Sequence, residues 1–477
     1  MSLRKSLGWS VSQQLWTYVL FLINMVVNAR LLSPEEIGVF VLALSVHMIL
    51  HATREMGVTH YLIREKDLPD DKIAATVLVS SVLAFILGLI VFVIRNWTAG
   101  LFDTPGLADV LMFVALTLWI FPFEHASAAL IRRDMRFREM HHIVIFAKLV
   151  AVVATIYLAW VGFSYMALAW GLLLEAVVRA ALFSYVEQRP WRIGPGLKGV
   201  RKVINFGGWT TSGSIIHVVS MESEKFILGL MMGVGATGLY DRASRLPYML
   251  RQALTMSLGR VFLSAFARDI HAGRAIGPKS SALIAMVSGV MWPLFLVLAL
   301  IPETFVLVAF GSQWLEAAAL LPWLLLAQGI WCLLPQLEQI LMPFGKVRLY
   351  FWARVVQAVI MIGAALLAVP YGLVIFAQAT AVAAAIVMIF NWVVMRDVMD
   401  VPFVQLAGIH IRSAITALIT AAPVALWVWF DGSSLMLVVA LIAAVPLYGA
   451  GLYLTGHLLA LEVKRTLAAR KQNAASA

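Results

Sequence analysis

Stretches of about twenty apolar residues follow one another along almost the entire chain, and that is the length an α-helix needs to cross a bilayer. Hydrophobic residues make up 62% of the sequence and charged residues 13%, where a soluble domain carries roughly 25% charged residues. A water-soluble core cannot absorb so much apolar sequence. At roughly 34 residues for each helix and its connection, the 477 residues hold about 14 crossings. That leaves no room for a folded domain outside the membrane. It argues against a kinase, a Rossmann enzyme or a nucleic-acid binder, despite a net charge of +11. The excess of Lys and Arg reads instead as topology, because basic residues collect on the cytoplasmic side of membrane proteins. Cys332 is the only cysteine, so no disulfide forms within the chain.

The expected fold is all-α and integral to the membrane, with helices over 7–32, 37–56, 73–94, 108–131, 143–161, 165–185, 207–232, 237–266, 283–301, 317–342, 351–369, 374–395, 411–430 and 435–457. The first is too long for a signal peptide, carries Gln13 and Gln14 near its start and has no small-x-small exit. Placing both termini in the cytoplasm puts 28 of the 36 basic residues in inside segments, among them Arg132, Arg133, Lys198, Lys346, Arg354 and the tail Lys464–Lys471. Adding or removing one helix scrambles that alternation.

The chain also echoes itself at a shift of 200 residues. Gly8, Trp9 and Ser12 fall on Gly208, Trp209 and Ser212; Gly38 and Ala43 fall on Gly238 and Ala243. Glu124 precedes Arg132 by eight residues and Glu338 precedes Lys346 by eight, each with a proline (Pro122, Pro335) just before the glutamate. The expectation is two six-helix lobes over 1–204 and 205–398, related as parallel repeats. Helices 13 and 14 and a basic cytoplasmic tail (399–477) are appended. A substrate site is expected where the two lobes face one another.

An ionisable group at the bilayer centre costs about 2.5–3.5 kcal/mol on insertion scales, so it faces protein or a water-filled cavity. The first helix carries Ser10, Gln14, Thr17, Asn24 and Asn28 on one stripe, and the seventh carries Thr210, Ser214, His217 and Glu224 on its counterpart. Interhelical hydrogen bonding accounts for such stripes as readily as a cavity wall does. The eighth helix opens with Asp241, Arg242 and Arg245 and continues to Arg251, about 9 Å deeper than Arg245. Guanidinium groups suit phosphate because their donors are planar and always charged, although Arg242 and Arg245 could equally snorkel to headgroups. Arg251, Arg245, Arg242, Glu224, His217, Gln14 and Asn24 are the candidate substrate-binding residues. Glu124, Glu338, Lys148, Asp241 and Glu222 are candidates for gating or ion coupling. Glu175 and Arg179 read as a self-satisfied i,i+4 pair. His47 and His51 share a zinc-compatible spacing but lack a third ligand, so no metal is expected. No nucleotide motif or catalytic constellation occurs, so neither a cofactor nor ATP hydrolysis is expected.

Four segments then acquire a joint meaning: ARLLSPEEIG at 29–38, ALIRRDMRF at 129–137, GATGLYDRASRLP at 235–247 and FGSQW at 310–314. In order and spacing they resemble the polysaccharide transporter family, the Wzx-type lipid-linked oligosaccharide flippases of the MOP superfamily, whose fold is MATE-like. The resemblance implies two six-helix lobes with alternating access in a bacterial inner membrane. It implies a polyprenyl-pyrophosphate-linked oligosaccharide as cargo, moved from the cytoplasmic to the periplasmic leaflet for exopolysaccharide, capsule or lipopolysaccharide synthesis. Membrane lipids, a polysaccharide polymerase and chain-length machinery are the implied partners, and nucleic acid is not. Such cargo needs cations in a polar cavity and a lateral opening for lipid. A MATE-type drug or cation antiporter is the alternative on the same fold, favoured by Glu222, Glu224 and Asp241. A membrane polymerase or ligase is a third reading, opposed by the shortness of the outer connections.

Overall fold

The structure is a computed structural model and describes residues 3–55, 62, 69–193, 196, 197 and 200–460. Arg64, Lys66, Lys198 and the basic tail 461–477 lie outside the described residues. Within them the chain is helical, with no strand. Buried carbonyls and amides in lipid must be satisfied within the segment, which helices achieve. The helices are α1 (Leu3–Leu31), α2 (Pro34–Glu55), α3 (Asp70–Leu101), α4 (Gly106–Arg133), α5 (Phe137–Trp160), α6 (Met166–Val186) and the short α7 (Arg189–Ile193). Then come α8 (Val200–Met232), α9 (Val234–His271), α10 (Gly277–Leu300), α11 (Pro302–Ala309), α12 (Leu315–Ala318), α13 (Leu321–Ile330) and α14 (Leu337–Leu341). The last four are α15 (Val347–Ala368), α16 (Leu373–Met399), α17 (Phe403–Trp429) and α18 (Ser434–Leu454).

Ten of these, α2 to α6, α10 and α15 to α18, are long and apolar enough to cross a membrane. The burial pattern fits lipid rather than water. On α3, Phe85, Ile86, Leu89, Ile90 and Val93 face outward while Ala74, Ala75, Thr76, Ser80 and Ala84 are buried. The long helices α1, α8 and α9 fall outside the ten because polar side chains interrupt them. They are the helices on which the sequence places the substrate-binding residues.

The chain divides into two compact units. One comprises Met1–Asp241 with Ala309–Gln313 and the other Arg242–Val308 with Trp314–Ala477.

In the first unit, α2 begins with a capping box. The Ser33 hydroxyl accepts from the Glu36 amide at 3.2 Å, the Ser33 amide donates to Glu36 Oε2 at 2.8 Å, and Pro34 occupies the first turn. The core is packed by α2, α4 and α6 around Leu42, Leu111, Val114, Leu118 and Ala169. Gly38 and Gly238 mark a reciprocal close approach. A Cβ on Gly38 would overlap the carbonyl oxygen of Val234, and a Cβ on Gly238 would overlap that of Pro34. Each contact maps onto the other by the 200-residue shift, which is the contact pattern a two-fold axis generates.

Beyond α6, buried Glu187 gathers a corner. Its carboxylate accepts from Arg136 Nη1 at 2.9 Å and Arg189 Nε at 2.9 Å, and its carbonyl accepts from the Ser127 hydroxyl at 2.9 Å. Burial opposes ionisation of Glu187, but hydrogen bonds from Arg189 and the charges of Arg189 and Arg136 outweigh it and hold the carboxyl below its ordinary range. A carboxyl depressed by folding stabilises the protein above its unfolded value, about 4.3, and that stability is lost as pH falls through the folded value. The melting temperature of detergent-purified protein is therefore expected to fall below about pH 4, less steeply for Glu187→Gln. Parallel wild-type and variant curves would refute the assignment.

The second unit corrects one expectation. The segment 317–342 is not one helix: α13 ends at Ile330 and α14 resumes only at Leu337. Pro335 has no amide hydrogen, and its ring disfavours helical backbone at Leu334. The break is stabilised from outside, because His410 Nε2 on α17 donates to the freed Leu333 carbonyl at 3.1 Å. The same α17 is tied to α10 by a buried chain in which the Ser413 hydroxyl meets Ser288 Oγ and His457 Nε2, both at 2.9 Å.

Candidate functional site

The arginines of α9 are placed by a helix that runs through Pro247 without ending. Arg242 is buried, its guanidinium 5.3 Å from the Trp314 ring centroid. Arg245 is half-buried on the next turn. Arg251 is only 8% exposed, and its environment differs from that of an ordinary paired arginine. Its Nε donates to Gln328 Oε1 at 2.6 Å, and its charge lies over the rings of Tyr248 and Trp331 at 5.6 and 6.0 Å. Among the described residues it forms no salt bridge, and its two Nη groups have no hydrogen-bond partner.

Those donors border a narrow notch made by the break in the helix. Arg251, Thr255, Trp331, Cys332, Gln336 and Gln339 line it. Gln336 Nε2 lies 3.5 Å from both Gln252 Oε1 and Thr255 Oγ1. The notch therefore offers one uncompensated cation, several amides and an aromatic ring. The notch is small and also lined by Leu283, Ile284, Val287, Leu334 and Pro335, so the feature of it that suits a phosphate is the planar guanidinium.

On α8 the polar residues form a separate cluster in the first unit. Glu222 Oε2 accepts from the Ser45 hydroxyl at 2.6 Å and from Lys225 Nζ at 2.7 Å; Lys225 also lies 3.7 Å from buried Asp241. Glu224 accepts from the Tyr240 hydroxyl at 2.5 Å. His217 is half-buried on the same helix. On α1, Gln14 Nε2 donates weakly to Tyr18 at 3.4 Å. Asn24 Oδ1 accepts from Asn28 Nδ2 at 2.8 Å, so the deep end of the α1 stripe is partly satisfied within its own helix.

Glu124 and Lys148 join a chain of alternating charges through α4, α5 and α6. Arg179 pairs with Glu124 and lies 3.9 Å from Glu175, and Lys148 Nζ meets Glu175 at 2.8 Å. Glu175 and Arg179 are thus partners, as their spacing suggests, but each finds a closer partner on another helix. Glu338, the repeat echo of Glu124, is exposed on α14 and makes no ion pair among the described residues. The two glutamates therefore stand in different surroundings.

Sequence reasoning missed Tyr248, which the i,i+3 spacing could have placed beside Arg251, and Gln328 and Trp331, which no spacing connects to it. It also missed a buried polar relay on α15 and α16. Arg354, counted above with an inside connection, lies about 10 Å along α15 from its start and is 7% exposed. Its Nη1 donates to Gln357 Oε1 at 3.0 Å, and Gln357 Nε2 donates to Asn391 Oδ1 at 2.6 Å. His125 adds to the His47 and His51 neighbourhood: its ring lies 4.5 Å from Phe121, whose ring is 6.1 Å from His51. Among the described residues no group of three or more His, Cys, Asp or Glu side chains is arranged to hold a metal ion.

A multi-pass helical membrane protein with a buried, unneutralised arginine beside a broken helix has the make-up of a transporter. A family model described as "Polysaccharide biosynthesis protein" matches residues 27–319, and the chain belongs to that family. The succinoglycan biosynthesis transport protein ExoT of Rhizobium meliloti (strain 1021) is 26% identical over 424 residues, covering 87% of this chain and 85% of ExoT. Two solved structures share the fold. The lipid II flippase MurJ in an inward closed conformation superposes with TM-score 0.73 at 13% identity, over 93% of this chain and 98% of MurJ. An inward-facing multidrug resistance MATE transporter of the MOP superfamily gives 0.57 at 14% identity, over 80% of this chain and 96% of that one.

Proposed function

We propose that the protein is a flippase that moves polyprenyl-pyrophosphate-linked oligosaccharide units across the bacterial inner membrane, from cytoplasm to periplasm, for surface polysaccharide synthesis. The observation that carries this reading is Arg251, a guanidinium buried well inside a long helix with no carboxylate partner among the described residues. Holding such a cation in lipid costs about 2.5–3.5 kcal/mol, a cost that an anionic cargo offsets when bound. The diphosphate is common to all cargo of this kind, whatever the sugar. Arg245 and Arg242 assist on approach, while the amides of Gln336 and Gln339 serve the glycan. His217, Gln14 and Asn24 supply further polar contacts, and Glu222, Glu224, Asp241, Glu124, Lys148 and Glu338 are the candidates for coupling and gating. Membrane lipids, a polymerase and chain-length machinery are its partners. Membership of a polysaccharide biosynthesis family and similarity to a succinoglycan transport protein support this assignment.

The topology that goes with it has fourteen crossings, both termini cytoplasmic, lobes over 1–204 and 205–398 and an appended pair over 399–477. The thirteen described helices of at least 21 residues, together with the interrupted α13–α14 segment, support that number. The reciprocal Gly38 and Gly238 contacts support the repeat. Reporter fusions after Gly100 and Trp314 are expected to read periplasm, and one after Lys198 cytoplasm; the reverse pattern would overturn the orientation.

A drug or cation antiporter is the second reading, favoured by the carboxylates of Glu222, Glu224 and Asp241. Two of them already face Lys225, which weakens their call on a cationic substrate. Deletion of the gene distinguishes the two. Lost surface polysaccharide with accumulated lipid-linked intermediates supports the flippase. Intact polysaccharide, with drug resistance on overexpression, supports the antiporter.

A further inference from the structure

The Arg251 guanidinium takes its direction from Gln328, whose Oε1 accepts from Nε at 2.6 Å. Gln328 stands in the last turn of α13, at the edge of the break. Its own backbone is tied to that break, because Cys332 Sγ reaches back to the Gln328 carbonyl at 3.2 Å. Beyond it the chain tightens. The amides of Cys332 and Leu333 turn to the carbonyls of Gly329 and Ile330, three residues earlier, at 3.1 and 3.0 Å. Hydrogen bonds in so tight a turn are poorly aligned, so the path of the chain here depends on what holds it from outside.

Two side chains do so, one on each flank. Trp292 Nε1 on α10 donates to the Gly329 carbonyl at 3.0 Å, and His410 Nε2 on α17 donates to the Leu333 carbonyl at 3.1 Å. The two rings stack, with centroids 5.4 Å apart and planes inclined by 21°, so neither turns without disturbing the other. Their helices are joined in turn through Ser288 and Ser413 at 2.9 Å. A neutral imidazole has one N–H, and His410 spends it on Leu333, since its Nδ1 makes no hydrogen bond among the described residues. A single donor would satisfy the carbonyl that Pro335 frees. A stacked pair gripping both ends of the turn next to Gln328 also fixes where that turn lies.

We infer that Trp292 and His410 are positioning residues for the ligand site: by holding the Gly329 and Leu333 carbonyls they keep Gln328 against Arg251, whose Nη donors stay free for a ligand. This rests on the flippase reading given above. It gives α17, one of the two helices appended after the lobes in the proposed topology, a part in binding the cargo diphosphate.

The test measures binding of farnesyl diphosphate to the purified full-length protein by calorimetry, beside the melting temperature of each variant. His410→Phe keeps a ring for the stack but has no donor. It is expected to weaken binding by roughly 2- to 12-fold, the range of one neutral hydrogen bond. Trp292→Phe should do the same, which keeps the test decisive if the His410 variant fails to fold. His410→Gln offers an amide donor in place of Nε2 and should recover most of the loss. In a Gln328→Leu background either loss should shrink below about twofold, because the effect runs through Gln328. If both folded phenylalanine variants bind like wild type while Arg251→Ala does not, the positioning role is wrong and the Arg251 site stands. Losses as large without Gln328, or His410→Gln as weak as His410→Phe, would mean that the two rings only pack the unit, and would overturn the inference as well. If Arg251→Ala binds like wild type, the phosphate reading of the site falls and the inference with it.

Discussion

Replacing Arg251 by alanine is expected to abolish surface polysaccharide while the protein still reaches the membrane at its normal level. The guanidinium is buried, carries no salt bridge among the described residues and is held by one neutral amide. Its removal therefore strands no carboxylate, and the fold loses one hydrogen bond to Gln328 and some ring contact. The ligand loses a charge-assisted contact of about 1.5–3 kcal/mol, which corresponds to roughly 10- to 150-fold in affinity at 1.4 kcal/mol per decade. Arg251→Lys should restore part of the activity, because the charge returns but the planar fork does not. His51, which the 200-residue shift places opposite Arg251, should tolerate alanine better. Immunoblotting of membranes beside surface glycan analysis separates the outcomes. Normal export by Arg251→Ala, or failure only through degradation, would leave a packing role as the explanation.

A methyl group added at Gly38 or Gly238 is expected to be the most damaging small substitution in the first unit. At both positions the obstacle is a backbone carbonyl, of Val234 and Pro34 respectively, so no side-chain rotation relieves the overlap. The starts of α2 and α9 have to move apart, and overpacking of this kind costs about 1–3 kcal/mol. Gly38→Ala and Gly238→Ala should each lower the melting temperature in detergent and reduce export. The double variant should lose less than the sum, since one separation relieves both contacts. Gly363→Ala is the control: it lies on α15 with no atom within 4 Å of a new Cβ, and alanine is the better helix former there. Melting temperatures for Gly38→Ala that match wild type would show that these helix ends separate freely.

Much of the fold is legible because lipid imposes a simple rule. Helix length, apolar content and the placement of Lys and Arg follow from the bilayer alone. That is why α2 to α6 and α15 to α18 each fall on an expected helix, most ends within four residues, although α3 ends seven residues later and α5 and α17 begin six and eight residues earlier than expected. The capping box of Ser33 and Glu36 and the glycines at 38 and 238 could likewise be seen in the sequence, and the shift of 200 residues pairs those glycines. The α13–α14 break was harder to read. Pro335 is visible, but Pro122, Pro247, Pro293, Pro423 and Pro446 are all accommodated inside continuous helices. What differs at Pro335 is a distant partner, His410, which takes over the freed Leu333 carbonyl.

The candidate site divides the same way. The sequence by itself determined that Arg251 lies well inside a long helix, since position along a helix is a matter of counting. It could not determine which buried charges are cancelled. Lys148 has Glu175, Arg179 has Glu124, and Glu222 has Lys225, while Arg251 has the neutral Gln328, 77 residues away. Arg354 counts only as a cytoplasmic-side charge in the sequence, because charge patterning assigns residues to sides of the membrane, not to neighbours. Only the tertiary structure decided these pairings. Whether a buried charge is cancelled depends on contacts a few ångströms long between helices distant in sequence, and apolar periodicity carries no record of them.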